Sequence, residues 1–398
     1  MGRADSGTFI EIPAVGMRAI ELLESGLTVG DTRLHIRKET GNDCDVAGFV
    51  SQLAALGMVN SVDGQQIPST EPINPTLPRV EQRHVRWLLH PSVPWLVGAV
   101  LALGVAAAFV HPDSLPRWED LVWSEHGTPV LLLESALAWL LIFVHESAHL
   151  LTARAAGVPG RMRLGTRLQF LVAETEISGI WLCCRRVRVT AYLAGMASDA
   201  LVCSLCLIVM TATDTSPLIL RLVILNKALS VASEFMVFMR TDIYFLLQDL
   251  SRCRNMFGDA LVYLRFLCRR LIGRLNRSPL ASLPDRERKV VRVYAVLMVL
   301  GSTISLGLGA IVIFYFTGPL LFGAVGNLTG PGWVDAIDGL TTLLLIGGMQ
   351  LLWAGAWWRR HGPRARRVLG ALVRRSPRKD VRRSASTPGP PPPVSGSL

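Results

Sequence analysis

ESALAWLLIFVHESAHLLTAR, residues 134 to 154, sets two histidines and a glutamate inside an apolar run. Successive side chains on a helix advance by about 100°, so residues four apart share a face, and one face carries both His145 and His149. Two imidazoles stacked one turn apart can grip one metal ion. Glu146, the next residue, can take a proton from water activated by that metal, which is the mechanics of the H-E-x-x-H zinc motif. The pattern points to metal-assisted hydrolysis. The plain alternative is a helix end whose polar residues only touch lipid headgroups. Against it stands the cost of an ionisable group near a bilayer centre, about 2.5–3.5 kcal/mol, incurred here by three neighbouring groups.

The chain has 398 residues, of which 50% are hydrophobic, and a positive mean hydropathy. That composition belongs to a polytopic membrane protein rather than a soluble one. The first apolar run long enough to span begins near Ser92, and no charged n-region with an apolar h-region follows Met1, so no secretory signal peptide is expected. The formal charge is +11, yet the arginines flank apolar spans instead of covering one soluble face, which speaks for membrane topology and against nucleic acid. Cys44, Cys183, Cys184, Cys203, Cys206, Cys253 and Cys268 show no pairing rhythm, so reduced thiols are expected. Cys203 and Cys206 form a C-x-x-C inside an apolar span, where core packing is their expected use.

Residues 1–68 read as a small soluble module. One helix covers Val15 to Leu23, Thr28 caps a second through Lys38, and Asp43 or Asp45 starts a third ending near Gly57. Met58, Val59 and Val62 then run into Asp63-Gly64, a hairpin turn, with Gln65 to Ile67 returning. Three helices and a hairpin make a winged-helix pattern. Its acids, Glu11, Glu21, Glu24, Asp31, Glu39, Asp43 and Asp45, suit a peptide partner better than DNA. The stretches AIELLESGLTV and DVAGFVSQLAALGMV resemble the winged-helix peptide-binding domains of the PQQ-biosynthesis chaperone type, also called RiPP recognition elements. That resemblance implies a leader peptide added as an extra strand on residues 1–68. A helical cap without a ligand is the alternative.

PSTEPINPTLP, residues 68 to 78, is a proline-rich linker, and residues 69–91 together form linker and juxtamembrane segment. Six spans follow: Pro94 to Val110, Pro129 to Leu151, Thr190 to Thr213, Pro217 to Leu247, Val291 to Phe316 and Leu340 to Trp358. Segments after the second, fourth and sixth are arginine-rich (154–188, 252–292 and 359–383) and the alternate loops are nearly free of arginine, so both termini are expected in the cytoplasm and the chain in the cell membrane. Nine residues before Arg154, His145 would lie about 14 Å inside the cytoplasmic boundary. Residues 165–190 are too polar to cross and too β-rich for a helix, and are expected as membrane-edge strands, either holding an extended substrate or forming a plain structural hairpin. LVYLRFLCRRLIGRL, from Leu261, is expected as a helix on the inner leaflet touching lipid. The basic tail 359–398, ending in STPGPPPPVSGSL, is expected to be disordered and to meet anionic lipid. The fold class is therefore mainly α: a polytopic bundle of about six spans with an N-terminal winged-helix (α+β) domain and a membrane-edge β hairpin.

A hydrolytic zinc needs a third protein ligand and one open position. Asp242 is the first candidate, because it lies in FMRTDIYFLLQDL ten residues before Arg252, at the depth of His145. A helix-end carboxylate paired with Arg240 is the alternative use. Asp199, Glu234 and Glu134 compete, though Glu134 is eleven residues from His145, about 16 Å along the helix. Lys227 and Glu234 are seven residues apart and can partner each other, or Lys227 can partner Asp199.

HESAH in a span, basic strands after it, AGMASD in the next span and FMRTDIYFLLQDL together resemble the site-2 protease family, over residues 90 to 300. The nearest branch is the bacterial peptide zinc metalloproteases with a fused winged helix. The resemblance implies intramembrane or membrane-edge hydrolysis of peptide bonds, with His145, His149 and Asp242 on zinc and Glu146 as general base. The chain departs from that family at Ile243, where glycine usually follows the aspartate, and at Asp199, where asparagine usually ends the motif. The expectation is an integral-membrane zinc metalloprotease, residues 92–358, acting near the cytoplasmic side on a peptide or membrane-protein substrate that the N-terminal module recruits. A non-catalytic membrane receptor or peptide-export partner with a structural zinc is the alternative, and a closed four-ligand site would distinguish it.

Overall fold

The computed structural model describes residues 2–3, 8–10, 12–62, 64–66, 74–124, 127–168, 170–273, 278–329 and 332–375. The chain is mainly helical, and its described sheets are two-stranded. Strand β1 (Gly2–Arg3) pairs antiparallel with β2 (Thr8–Phe9), a pair without a sequence signal. Helices α1 (Ala14–Glu24), α2 (Val29–Thr40) and α3 (Val46–Ala55) follow. Thr28 Oγ1 accepts from the Asp31 amide and Asp45 Oδ1 from the Gly48 amide, so both expected caps are made. Ala19, Leu22, Ile36 and Val46 pack as a small core. Arg18 binds Glu39 and Arg33 binds Asp43, and these hydrogen bonds hold both carboxyls below the usual carboxylate range. Two of the acids expected to face a partner are thus neutralised within the module. Strands β3 (Ser61–Val62) and β4 (Gln65–Gln66) pair beyond α3 and are exposed, while Asp63 and Ile67 of the expected hairpin lie outside the described residues.

The linker is not a free spacer over its whole length. The Thr76 amide donates to Gly160 O at 3.1 Å and Thr76 Oγ1 accepts from the Met162 amide at 2.8 Å. Short helix α4 (Gln82–Val85) leads through a 3₁₀ turn into α5 (Val93–Val110), and α6 (Gly127–Ala155) carries the quoted stretch. Arg154 near the end of α6 donates to Val80 O at 2.6 Å and to Thr76 O at 3.1 Å. Part of the expected linker, residues 68–73, lies outside the described residues.

Strands β5 (Arg161–Arg167) and β6 (Phe170–Glu176) form the expected hairpin, in register from Arg161 opposite Glu176 to Arg167 opposite Phe170. Cross-strand pairs Arg161–Glu176 and Arg163–Glu174, each at 2.9 Å, fix that register. The expected strand segment reached Thr190, but α7 (Arg185–Thr213) already begins at Arg185. Helix α7 is the hub of the bundle and packs on α5 and α6.

The expected continuous span from Pro217 to Leu247 is broken. Helix α8 (Leu218–Glu234) ends, a 3₁₀ turn covers Val237–Met239, and Arg240 takes a left-handed conformation at φ 61° before α9 (Asp242–Ser251) starts. Both α8 and α9 pack on α7. Helix α10 (Met256–Leu271) turns its apolar stripe onto α11 (Asp285–Val312), with Met256, Ala260, Val291 and Tyr294 buried between them, while Leu271 and Ile272 are exposed. A π turn, Ile313–Thr317, leads into α12 (Gly318–Leu328), and α13 (Trp333–Arg375) returns against α12, α6 and the hairpin. Residues 359–375, expected as part of a disordered tail, therefore continue a helix, and residues 376–398 lie outside the described residues.

Among the described residues five helical stretches are long and apolar enough to cross a membrane: Val93–Val110, Gly127–Ala155, Arg185–Thr213, Asp285–Leu328 and Trp333–Arg359. They mark the chain as a membrane protein. Helix α8 is shorter, 17 residues or about 25 Å.

Candidate metal centre

Helix α6 brings His145 and His149 onto the face that packs against α7, where they are 6% and 5% exposed. Their Nε2 atoms stand 3.2 Å apart. Asp242 Oδ2 lies 2.8 Å from His149 Nε2 and 3.3 Å from His145 Nε2. These three side chains form a group that could hold a metal ion, with ligand atoms all within 4.8 Å of one another.

Their protonation follows from the partners behind them. Ala191 O, which can only accept, lies 2.7 Å from His149 Nδ1, so that nitrogen carries the proton and Nε2 presents a lone pair. Asp199 Oδ2 lies 2.9 Å from His145 Nδ1 and imposes the same tautomer. Asp242 Oδ2 is buried with no hydrogen-bond partner among the described residues. Both Nε2 atoms and Asp242 Oδ2 therefore face one another, and a divalent cation can take the place of any protons held between them. The residues fit a metal.

The sequence explains how α7 approaches so closely. Ala191, Gly195 and Asp199 recur every fourth residue and form one stripe. A Cβ at Gly195 would run into the Nε2 atoms of both histidines, so only glycine lets the backbone pass at this height. Asp199 accepts at the same time from Lys227 and from Ser230 Oγ, the latter at 2.7 Å, and Lys227 also donates to Leu141 O at 2.7 Å. Asp199 and Lys227 are 0% and 1% exposed, so Lys227 is committed to Asp199 and adds no net charge at the ligands.

The break between α8 and α9 brings Asp242 to the histidines. Glu234 at the end of α8 accepts from the Asp242 amide at 2.7 Å, and its carbonyl accepts from Thr241 Oγ1 at 2.5 Å. Glu234 thus caps α9, whose first N–H groups have no intrahelical acceptor. Arg240 turns towards aromatic rings, 5.3 Å from the centroid of Phe257, rather than making the alternative pairing with Asp242. Glu146 is half-buried, and its Oε2 accepts from Thr175 Oγ1 of β6 at 2.6 Å.

Sequence reasoning singled out His145, Glu146, His149 and Asp242, and the fold gathers the three ligand candidates at one point. It also resolves the competitors. Asp199 stands behind His145, Glu234 caps α9, and Glu134 bonds Asn226 near the other end of α6. Gly195 and Thr175 were missed. The A-x-x-x-G-x-x-x-D spacing signals Gly195, whereas Thr175 carries no local signal because only the hairpin docking defines it.

No family model matches the chain, and no curated protein or solved structure matches it either.

Gly195→Ala is expected to lose bound metal as fully as His149→Ala, because the added methyl occupies the space of both Nε2 atoms. Metal per chain, measured by plasma mass spectrometry on the purified protein, reads this directly. Unchanged metal in Gly195→Ala would refute the geometry.

Proposed function

We propose that the chain is an integral-membrane zinc metallopeptidase that cuts peptide bonds near the cytoplasmic side of the membrane. The observation that carries the reading is the convergence of His145, His149 and Asp242 with the Glu146 carboxylate on the adjoining residue of the same helix. Two imidazoles and one carboxylate are a ligand set of catalytic zinc sites. Zinc held there would act as a Lewis acid, acidifying water and polarising the scissile carbonyl.

The chain supplies the rest. Glu146 removes a proton from the attacking water and passes it to the leaving amine as the C–O bond forms and the C–N bond breaks. Thr175 holds Glu146 by its Oε2 and so aims the carboxylate. Asp199 and Ala191 O keep Nδ1 of each imidazole protonated, so Nε2 remains free to ligate. The rival reading, a receptor or export partner with a structural zinc, requires a fourth protein ligand. Glu234 Oε1 lies 4.0 Å from His145 Nε2 and its Oε2 accepts from the Asp242 amide, but among the described residues the group of converging ligand atoms comprises His145, His149 and Asp242 alone, which favours an open site.

The broken segment α8–α9 completes a sixth crossing in this reading, with both termini cytoplasmic, as the arginine asymmetry requires. Residues 1–68 act as a winged-helix module that captures a substrate peptide and raises its concentration at the metal.

Purified protein should carry one zinc per chain. His149→Ala should lose it, while Glu146→Gln should retain it and abolish cleavage of a peptide substrate by at least about a hundredfold, the typical share of a general base. Equal metal in all three proteins would sink the site. Reporters fused at Pro363 and Gly258 should read cytoplasmic and one at Thr329 external, and an external reading at Gly258 would overturn the six-crossing topology. Deleting residues 1–68 should raise KM for the natural peptide far more than it lowers kcat, because only binding remote from the chemistry is lost. Unchanged constants would make the module a passive cap.

A further inference from the structure

Glu134 and Asn226 meet at a cavity that the metal centre does not use. Asn226 Nδ2 donates to Glu134 Oε2 and to Leu222 O, both at 3.0 Å. Glu134 Oε1 is buried with no hydrogen-bond partner among the described residues. The cavity, about 310 Å³, is bounded by Glu134, Ser135 and Trp139 of α6, Leu171 of β6, Asn226 of α8 and Met349 of α13. Its walls are otherwise largely apolar. A carboxylate kept in such a place is costly, and one with a bare oxygen still has an acceptor to satisfy.

The chemistry of the lining selects a ligand. An aliphatic stem can lie along Trp139, Leu171 and Met349 while a cationic head pairs with the Glu134 carboxylate, and lysine and arginine side chains have that form. The placement relates the cavity to Glu146. Ile142, which also lines it, is one turn before Glu146 on α6. Leu171 shares a face of β6 with Thr175, the residue that holds Glu146. Two residues of the lining are thus neighbours of Glu146 and Thr175 on the same faces of α6 and β6. Glu134 stands about 18 Å from Glu146 along the helix, a distance that an extended peptide covers in about five residues.

We propose that this cavity is a cation subsite, which takes a lysine or arginine side chain of the substrate peptide some three to five residues from the bond cut. The word substrate rests on the peptidase reading above; the cation site does not.

The test uses full-length Ser135→Cys protein in lipid nanodiscs, since Ser135 lines the cavity. Cationic 2-aminoethyl and anionic 2-sulfonatoethyl methanethiosulfonate are compared, each rate normalised to that with a free thiol and read by mass spectrometry at residue 135. The cationic reagent is expected to react about tenfold faster, the size of one charge-assisted hydrogen bond, and Glu134→Gln to bring the ratio below about twofold. Glu134→Asp keeps the charge and should keep the ratio, so a misfolded Gln variant does not hide the answer. Equal rates, no modification, or a ratio that survives Glu134→Gln overturns the site. Quenched-fluorescent peptides with lysine or norleucine scanned through each position separate the two readings. Cation-selective labelling with no peptide cut would sink the peptidase and leave the site standing. Cleavage without a lysine preference at any position would sink the subsite and leave the peptidase standing.

Discussion

Asp199 is a carboxylate with no exposure to solvent, and three donors from two neighbouring helices converge on it. His145 comes from α6, and Lys227 and Ser230 come from α8, so one side chain on α7 ties three helices at one height. An ionised group in an apolar bundle survives only when its lone pairs are filled, and breaking such a set leaves an uncompensated charge. The alignment of α6, α7 and α8 is therefore fixed by polar matching as well as by the apolar packing of Leu137, Leu141 and Leu222 nearby. Because His145 is one of the donors, the same matching sets the orientation of the first imidazole.

The second constraint is the open end of a helix. An unbroken α8 would carry residue 242 past the histidines along a straight axis. Ending it at Glu234 and restarting at Asp242 leaves free N–H groups inside the bundle, and Glu234 fills one of them. The aspartate then occupies the first turn of α9, where the positive end of the helix favours a carboxylate. The backbone irregularity and the third candidate ligand arise from one local event.

The histidine pair was legible because its spacing is a local property of one helix, and Asp242 because arginine positions report depth. The small-residue approach at Gly195 was present in the spacing but is meaningful only beside the imidazoles it meets. The break after Glu234 was not legible, since neither glycine nor proline marks it and Arg240 adopts its left-handed conformation without the usual signal. Hydropathy saw one apolar run from Pro217 to Leu247, because averaging over a window hides a turn that keeps its apolar composition. The end of the last helix was misjudged for the opposite reason. A basic composition reads as tail, yet α13 continues across Gly362 and Pro363 to Arg375, against the helix propensity of those two residues.

The contacts between Thr76 and Gly160 or Met162 join residues far apart in the order of synthesis. A ribosome adding about 5–20 residues per second needs some seconds to make the intervening chain, including helices α5 and α6. Until the end of α6 and the start of β5 have emerged, the linker has nothing to dock upon. Closure of the linker on Arg154 thus follows the synthesis of α6, and it covers the C-terminal end of the helix that bears the histidines.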